Sequence, residues 1–289
     1  MKLVSYNIQY GKGQDNIVDI ERIVGEIQGA DVIALQEVDR FWPRTGMVDQ
    51  VQQITERLPE YYWVYGAGVD LHCSQSPPHE NRRRQFGNMI LSRYPIESSR
   101  HHLLPKLGSI GPLSIQRSAI EASIKPCSYK LRIYSVHLTH LSSQTRIPQI
   151  ERLFDIHNTA ETEGFAVNGN LEGFDWQDGV DDQEVSPHAI IMGDFNCQPD
   201  SPEYDIMTGP KCDYGGRIIS PKGFVDAWTI VGNDEDTGYT SDVHNIPARL
   251  DYCLVSSALK STIVHCHVDS QANGSDHLPI WIELDFSSK

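Results

Sequence analysis

Basic residues are scarce in this 289-residue chain: 24 lysines and arginines stand against 39 aspartates and glutamates, a formal charge of −15. That balance argues against an extended footprint on nucleic acid, because duplex binders usually carry a basic face that displaces counterions. A bound divalent cation reverses the sign locally, so the charge weighs against long duplex and not against phosphate chemistry as such. Long apolar runs are missing too. No segment approaches the roughly 18 residues of a membrane-spanning helix, and Tyr6, Asn7 and Gln9 interrupt any leader-like stretch after Met1 and Lys2. The expectation is a cytoplasmic protein with no transmembrane segment. The six cysteines, at 73, 127, 197, 212, 253 and 266, form no CxxC and no zinc or disulfide spacing. They read as small, buried apolar residues of a reducing compartment. Internal repeats and low-complexity tracts are absent, and no protein partner is inferable.

What the chain has instead is a series of apolar runs that end on residues able to do chemistry. The run Ile190-Ile191-Met192-Gly193 leads into Asp194 and Asn196, two positions on one side of a strand that can converge on a single phosphate or metal. Asn7, Glu37 and His137 close similar runs, and Asp276-His277 precedes the apolar LPIWIEL. Asp251, inside the strand-like RLDYCLV, is costly to bury without a partner. Because these residues run from Asn7 to His277, a single domain over 1–289 is expected.

Period and capping signals place them. Residues 2–8 read as a strand. Asp15 or Asn16 then caps a helix with Ile17, Ile20, Ile23, Val24 and Ile27 on one stripe, followed by a strand over Val32–Gln36. A second helix is expected at 49–58, and strands near 61–67, 87–92, 116–124 and 130–138 suit an antiparallel sheet. A third helix at 143–160 carries Pro148 in its first turn. Residues 162–187, with Asp175, Asp178, Asp181, Asp182 and Glu184, read as a flexible acidic surface loop whose spacing does not match a calcium loop. A strand at 189–194 follows, then a short helix from Ser201-Pro202, and strands near 249–256, 262–268 and 278–285.

Taken in order, SYNI, LQEVD, GNMILSRYPI, VHLTH, GDFN, RLDY and GSDHLPI resemble the endonuclease/exonuclease/phosphatase superfamily, in the wording of its compact bacterial members. The resemblance implies a DNase I-like four-layer α/β sandwich, two packed mixed β-sheets flanked by helices, and Mg²⁺-dependent hydrolysis of a phosphoester, with Mn²⁺ as an alternative cation. It makes Glu37 the primary metal ligand with Asn7 beside it, and has Asp276 face the metal through water. His277, paired with Asp251, would activate or orient at the phosphate. His137 would be a phosphate ligand or general acid, Asp194 would position or deprotonate water, and Asn196 would hydrogen-bond a phosphate oxygen.

Arg117 sits where members carry a phosphate-contacting arginine, though a plain surface arginine reads as readily, and Asn88 lies at a strand start expected near the cleft. Arg82-Arg83-Arg84, on a loop before that strand, would grip a second phosphate or a nucleic acid strand, with Arg84 taken as the substrate-binding member; the alternative is a solvated face. Arg40, Arg44, Asp49 and Gln50 make a polar loop after Glu37. Gln9 replaces an aspartate of abasic-site endonucleases and of tyrosyl-DNA phosphodiesterase 2, and His137 stands in place of the abasic-site enzymes' tyrosine, so base-excision repair is disfavoured. The expected substrate is a phosphorylated small molecule, a lipid headgroup or nucleic acid, with a nuclease as the alternative enzyme and a non-catalytic phosphate-binding module as the remote one.

Overall fold

The strands of this molecule sort their side chains by parity. In β1 (Lys2–Asn7), Leu3 joins a core shared between two sheets, whereas Val4 and Tyr6 face a layer of helices. In β2 (Val32–Arg40), Val32 and Ala34 go inward between the sheets, and Ile33 and Leu35 go out to the helices. Such two-sided burial explains why these strands read as continuous apolar runs. The computed structural model describes residues 1–74, 77, 80–128, 130–169 and 184–287.

Six strands form the first sheet, in the order β13 (Ile263–Val268), β14 (Ile280–Leu284), β1, β2, β4 (Arg83–Ser92) and β3 (Tyr62–His72). The second six-stranded sheet runs β5 (Ile96–Leu103), β6 (Ser118–Ile124), β7 (Leu131–His137), β8 (Ala189–Asp194), β12 (Asp251–Ser256) and β9 (Phe224–Asp226). A separate hairpin pairs β10 (Ser241–Val243) with β11 (Ile246–Ala248). Each large sheet is mixed: β1 lies parallel to β2, and β7 parallel to β8, while the other pairings are antiparallel. Helices α1 (Ile20–Glu26) and α2 (Gln50–Arg57) cover the first sheet, and α3 (Ser143–Glu163) and α4 (Pro202–Thr208) cover the second. A short α5 (Ala227–Ile230) follows β9. The result is the four-layer sandwich expected from the sequence. Each fully buried aliphatic side chain in it contributes about 1.5–3 kcal/mol.

Several local expectations are corrected. Helix α1 is capped by Asp19, whose carboxylate accepts the amides of Glu21 and Arg22, not by Asp15 or Asn16. Ile17 is consequently outside the helix and 59% exposed. Pro148 lies in the second turn of α3, since Ser142 is the cap; the ring removes one helical bond to the Gln144 carbonyl. Beside it, the buried Gln149 accepts from the Thr139 amide and donates to the Pro105 carbonyl, tying that turn to its surroundings. Arg83 and Arg84 belong to β4 itself and not to a preceding loop. Strand β5 and the short β9, β10 and β11 had no clear signal. Helix α3 runs to Glu163, and most of the expected acidic loop, including Asp175, Asp178, Asp181 and Asp182, lies outside the described residues. Among the described residues no helix is long and apolar enough to cross a membrane.

Candidate active site

The inward rows that build the inter-sheet core turn polar at one end of the sandwich. Leu3 and Ser5 lead to Asn7, Ile133 and Ser135 to His137, and Ile190 and Met192 to Asp194. In β12 the row runs from Val255 and Cys253 to Asp251, its first residue. Strand alternation therefore delivers side chains of both sheets to one spot. Register brings His137 beside Asp194, and Asp194 beside Asp251.

Glu37 reaches that spot by a different device. Leu35 pairs with Met89 but Val38 pairs with Gly87, so Gln36 and Glu37 together oppose Asn88, the two-against-one count of a β-bulge. Glu37 takes a left-handed backbone with φ +59°, which re-aims an otherwise outward side chain toward the cleft. Gln9, Tyr10 and Asn196 are also left-handed, at φ +41°, +46° and +52°, so unfavourable backbone is concentrated at these strand ends.

Asp194 is the hub. Its Oδ2 accepts from Asn7 Nδ2 at 3.0 Å and from Asn196 Nδ2 at 3.2 Å, and Oδ1 accepts the Asn196 amide at 2.8 Å. His137 Nε2 is 3.2 Å and His277 Nε2 3.8 Å from Oδ2. Burial works against ionising Asp194, yet the two histidines and the Asn196 amide outweigh it and hold the carboxyl well below its usual range. His277 Nδ1 meets Asp251 Oδ2 at 2.7 Å. Burial opposes its charge, but Asp251 and Asp194 prevail and push its pKa up to about 10. His137 goes the other way, down to about 4, through burial and the adjacent Arg117.

Arg117 is buried, with Nη1 2.9 Å from His137 Nδ1 and Nη2 3.3 Å from His140 Nδ1. A guanidinium only donates, so both rings accept on Nδ1 and carry their protons on Nε2. His137 is thus a neutral N–H donor facing Asp194. This favours the phosphate-ligand reading of His137 over the general-acid one.

Asn196 Nδ2 is committed to Asp194 and to the Leu138 carbonyl, which leaves no donor for a phosphate and makes it an orienter of Asp194. Asn88 likewise donates to the carbonyls of Ser118 and Ser135, tying the two sheets together instead of lining a cleft. Arg84 stands apart from the cluster, its guanidinium 5.3 Å from the Trp42 ring.

The donor set fits a hard cation. Glu37 is one-fifth exposed, and burial together with Asp276 and Asp194 raises its carboxyl against the opposing Arg117 and His277; positive charge placed there would relieve that cost. Asn7 Nδ2 lies 3.4 Å from Glu37 Oε1 while its Oδ1 accepts the Gln9 amide at 3.1 Å, so in this orientation the amide braces Glu37. Among the described residues no group of three histidine, cysteine or acidic side chains forms a cage. One carboxylate completed by water suits magnesium, which keeps much of its hydration.

Other contributors were not among the expected site residues. Gln9 Nε2 donates to the exposed Asp276 at 2.6 Å, so the residue that marks a departure from repair enzymes positions the acidic one. Ser275 Oγ donates to the Asn7 carbonyl at 2.7 Å, fastening the His277 loop to β1. Gln36 spans the sheets to Ser135 Oγ at 2.9 Å. His140, three residues beyond His137, had only the VHLTH motif to point to it.

Two packed mixed sheets with a histidine-flanked carboxylate cluster at their shared end define a phosphoester-hydrolysing enzyme. Over residues 4–277 the chain matches the model of the Endonuclease/Exonuclease/phosphatase family, and it belongs to that family. Solved structures share the fold. An endonuclease/exonuclease/phosphatase from Beutenbergia cavernae is 20% identical, with 98% of this chain and 71% of that one covered at TM-score 0.67. Mannosyl-6-phosphatase Bt3783 of Bacteroides thetaiotaomicron is 15% identical over 99% of this chain and 100% of that one, at TM-score 0.62. A humanized Danio rerio TDP2 is 17% identical over 99% of this chain and 98% of that one, at TM-score 0.58. Among curated proteins there is no significant match.

Proposed function

We propose that this protein is a Mg²⁺-dependent phosphohydrolase that cleaves a small phosphomonoester or phosphodiester by in-line attack of water. The convergence of His137, His277, Asn7 and Asn196 on Asp194, beside Glu37, carries the reading. Asp194, held ionised, accepts a hydrogen bond from the attacking water and aims it. His277, charged and steadied by Asp251, donates to a phosphoryl oxygen as negative charge grows, and the His137 N–H and the Arg117 guanidinium add fixed positive potential. Magnesium held by Glu37, with Asn7 bracing that carboxylate and Asp276 touching it through water, would polarise the phosphoryl oxygens and withdraw charge from them.

The alcohol part of the substrate has a wall to meet. Arg44 is clamped bidentately by Asp39 and lies 4.2 Å from the Tyr10 ring, 4.7 Å from Trp42 and 5.4 Å from Phe86, and Phe86 in turn approaches His137 at 6.4 Å. A rigid aromatic and guanidinium surface beside the cluster suits a sugar or another ring carrying the phosphate better than long duplex, and one structural relative is a mannosyl-6-phosphatase. Nuclease action on short nucleic acid remains the second reading, favoured by Arg84 at the outer end of this wall.

The test is release of product from bis-p-nitrophenyl phosphate, p-nitrophenyl phosphate, hexose and inositol phosphates and plasmid DNA, with Mg²⁺, with Mn²⁺ and with EDTA. Metal-dependent turnover that falls by on the order of 10²-fold or more in Asp194→Asn supports the mechanism. Turnover indifferent to EDTA, or retained in Asp194→Asn, overturns it.

A further inference from the structure

A second cluster of nitrogen ligands lies at the opposite end of the first sheet. His265 and His267 are two residues apart on the edge strand β13, so their rings share a face. Their Nδ1 atoms are 3.3 Å apart and their ring centroids 5.0 Å apart. Across the strand, His265 pairs with Glu283 and His267 with Trp281; Glu283 in turn pairs with Lys2, at the start of β1. Asn7 ends that strand, five residues and roughly 16 Å further on. The two histidines are therefore remote from the Asp194 cluster.

We propose that His265 and His267 are a bidentate clamp for a divalent transition cation that prefers imidazole. Two imidazole nitrogens bound to one tetrahedral cation at about 2.0–2.1 Å stand roughly 3.3–3.4 Å apart, and the observed separation already matches that bite. Without a cation the rings face one another nitrogen to nitrogen, satisfied only when a single proton is shared between them. The pair opens onto a cavity of about 600 Å³, which is also lined by Asp269, Glu283 and Glu26. Water supplies the remaining positions, and the negative potential of these carboxylates favours a cation there. Among the described residues no third acidic or sulfur ligand already stands at coordination distance, so the clamp holds two protein ligands before the cation enters. Nitrogen donors select zinc, nickel or copper over magnesium, and the site thus takes a different class of ion from the catalytic centre.

Trp281 makes the proposal directly readable, since its ring is stacked on His267 at 6.4 Å with an interplanar angle of 11°. Titration of the full chain with CoCl₂, a quenching stand-in for zinc at tetrahedral sites, in a non-coordinating buffer containing saturating Mg²⁺ is expected to quench tryptophan emission saturably. His265→Asn and His267→Asn should each weaken the apparent affinity by about tenfold or more, through loss of the chelate, and Trp281→Phe should remove most of the quench. Both histidines are exposed, and an unchanged circular dichroism melt in Mg²⁺ alone verifies that the variants fold. Equal quenching in the wild type and both histidine variants overturns the proposal, as does a full quench in Trp281→Phe. Phosphoester turnover unaffected by the histidine variants is expected, because the clamp is independent of the catalytic reading.

Discussion

Arg117 shows what single residues contribute that a motif does not reveal. Its guanidinium fixes the tautomers of two histidines at once, a task that needs two donors in a planar fork. Arg117→Lys is therefore expected to lower kcat/KM about tenfold or more while leaving the thermal midpoint nearly unchanged; steady-state kinetics on the preferred ester, with a melt alongside, checks this. The polar ends of strands were legible because a lone carboxylate, amide or imidazole after an apolar run has few structural explanations. Supporting residues were not, since Gln36, Ser135 and Ser275 are ordinary polar residues whose meaning lies in partners about 100 and 268 positions away. Asn88 and Asn196 were expected to face substrate, but the direction of their amides depends on main-chain carbonyls that no motif encodes.

At the scale of elements, the end of β8 requires glycine. Gly193 has φ +150°, and a Cβ there would collide with the Val136 carbonyl oxygen of the parallel neighbour. Gly193→Ala should destabilise the protein by more than about 2 kcal/mol, measured as a lower urea midpoint with little change in slope. Helix α3 carries a pH dependence of its own. Burial and Arg132 depress His157 to about 4, below the roughly 6.5 of an unfolded chain. The folded state thus binds fewer protons, so this contribution is intact above pH 6.5, declines as pH falls, and levels off below pH 4. The loss is at most about 3 kcal/mol. Comparing urea midpoints at pH 7 and pH 5 should show a smaller acid loss in His157→Gln than in the wild type. Long central strands were easy to read from their apolar runs, whereas β9, β10 and β11, three residues each, are too short to carry a period. The start of α1 was misplaced because Asp15, Asn16 and Asp19 all have capping chemistry, and tertiary packing chose the last.

For the molecule as a whole, binding and folding are linked, because Glu37 finds its neighbours only when both sheets are assembled. A cation that binds the folded state alone should stabilise it by about 2.7 kcal/mol at a hundred times its dissociation constant. Mg²⁺ is expected to raise the wild-type melting temperature in this saturable way, and Glu37→Gln to abolish the rise; equal shifts in both proteins would remove Glu37 from the metal site. The sheet-to-sheet layer between Asn7 on one side and His137 and Asp194 on the other includes the small residues Ala34, Ala122 and Cys253. Because such interiors are close-packed, the thickness of that layer works like the gap of a caliper whose jaws carry the two halves of the proposed catalytic cluster. Substrate fit is then tunable by a methyl group that never meets the substrate, and laboratory evolution for a new ester should find its gains in the buried filling between the sheets as well as in the cleft.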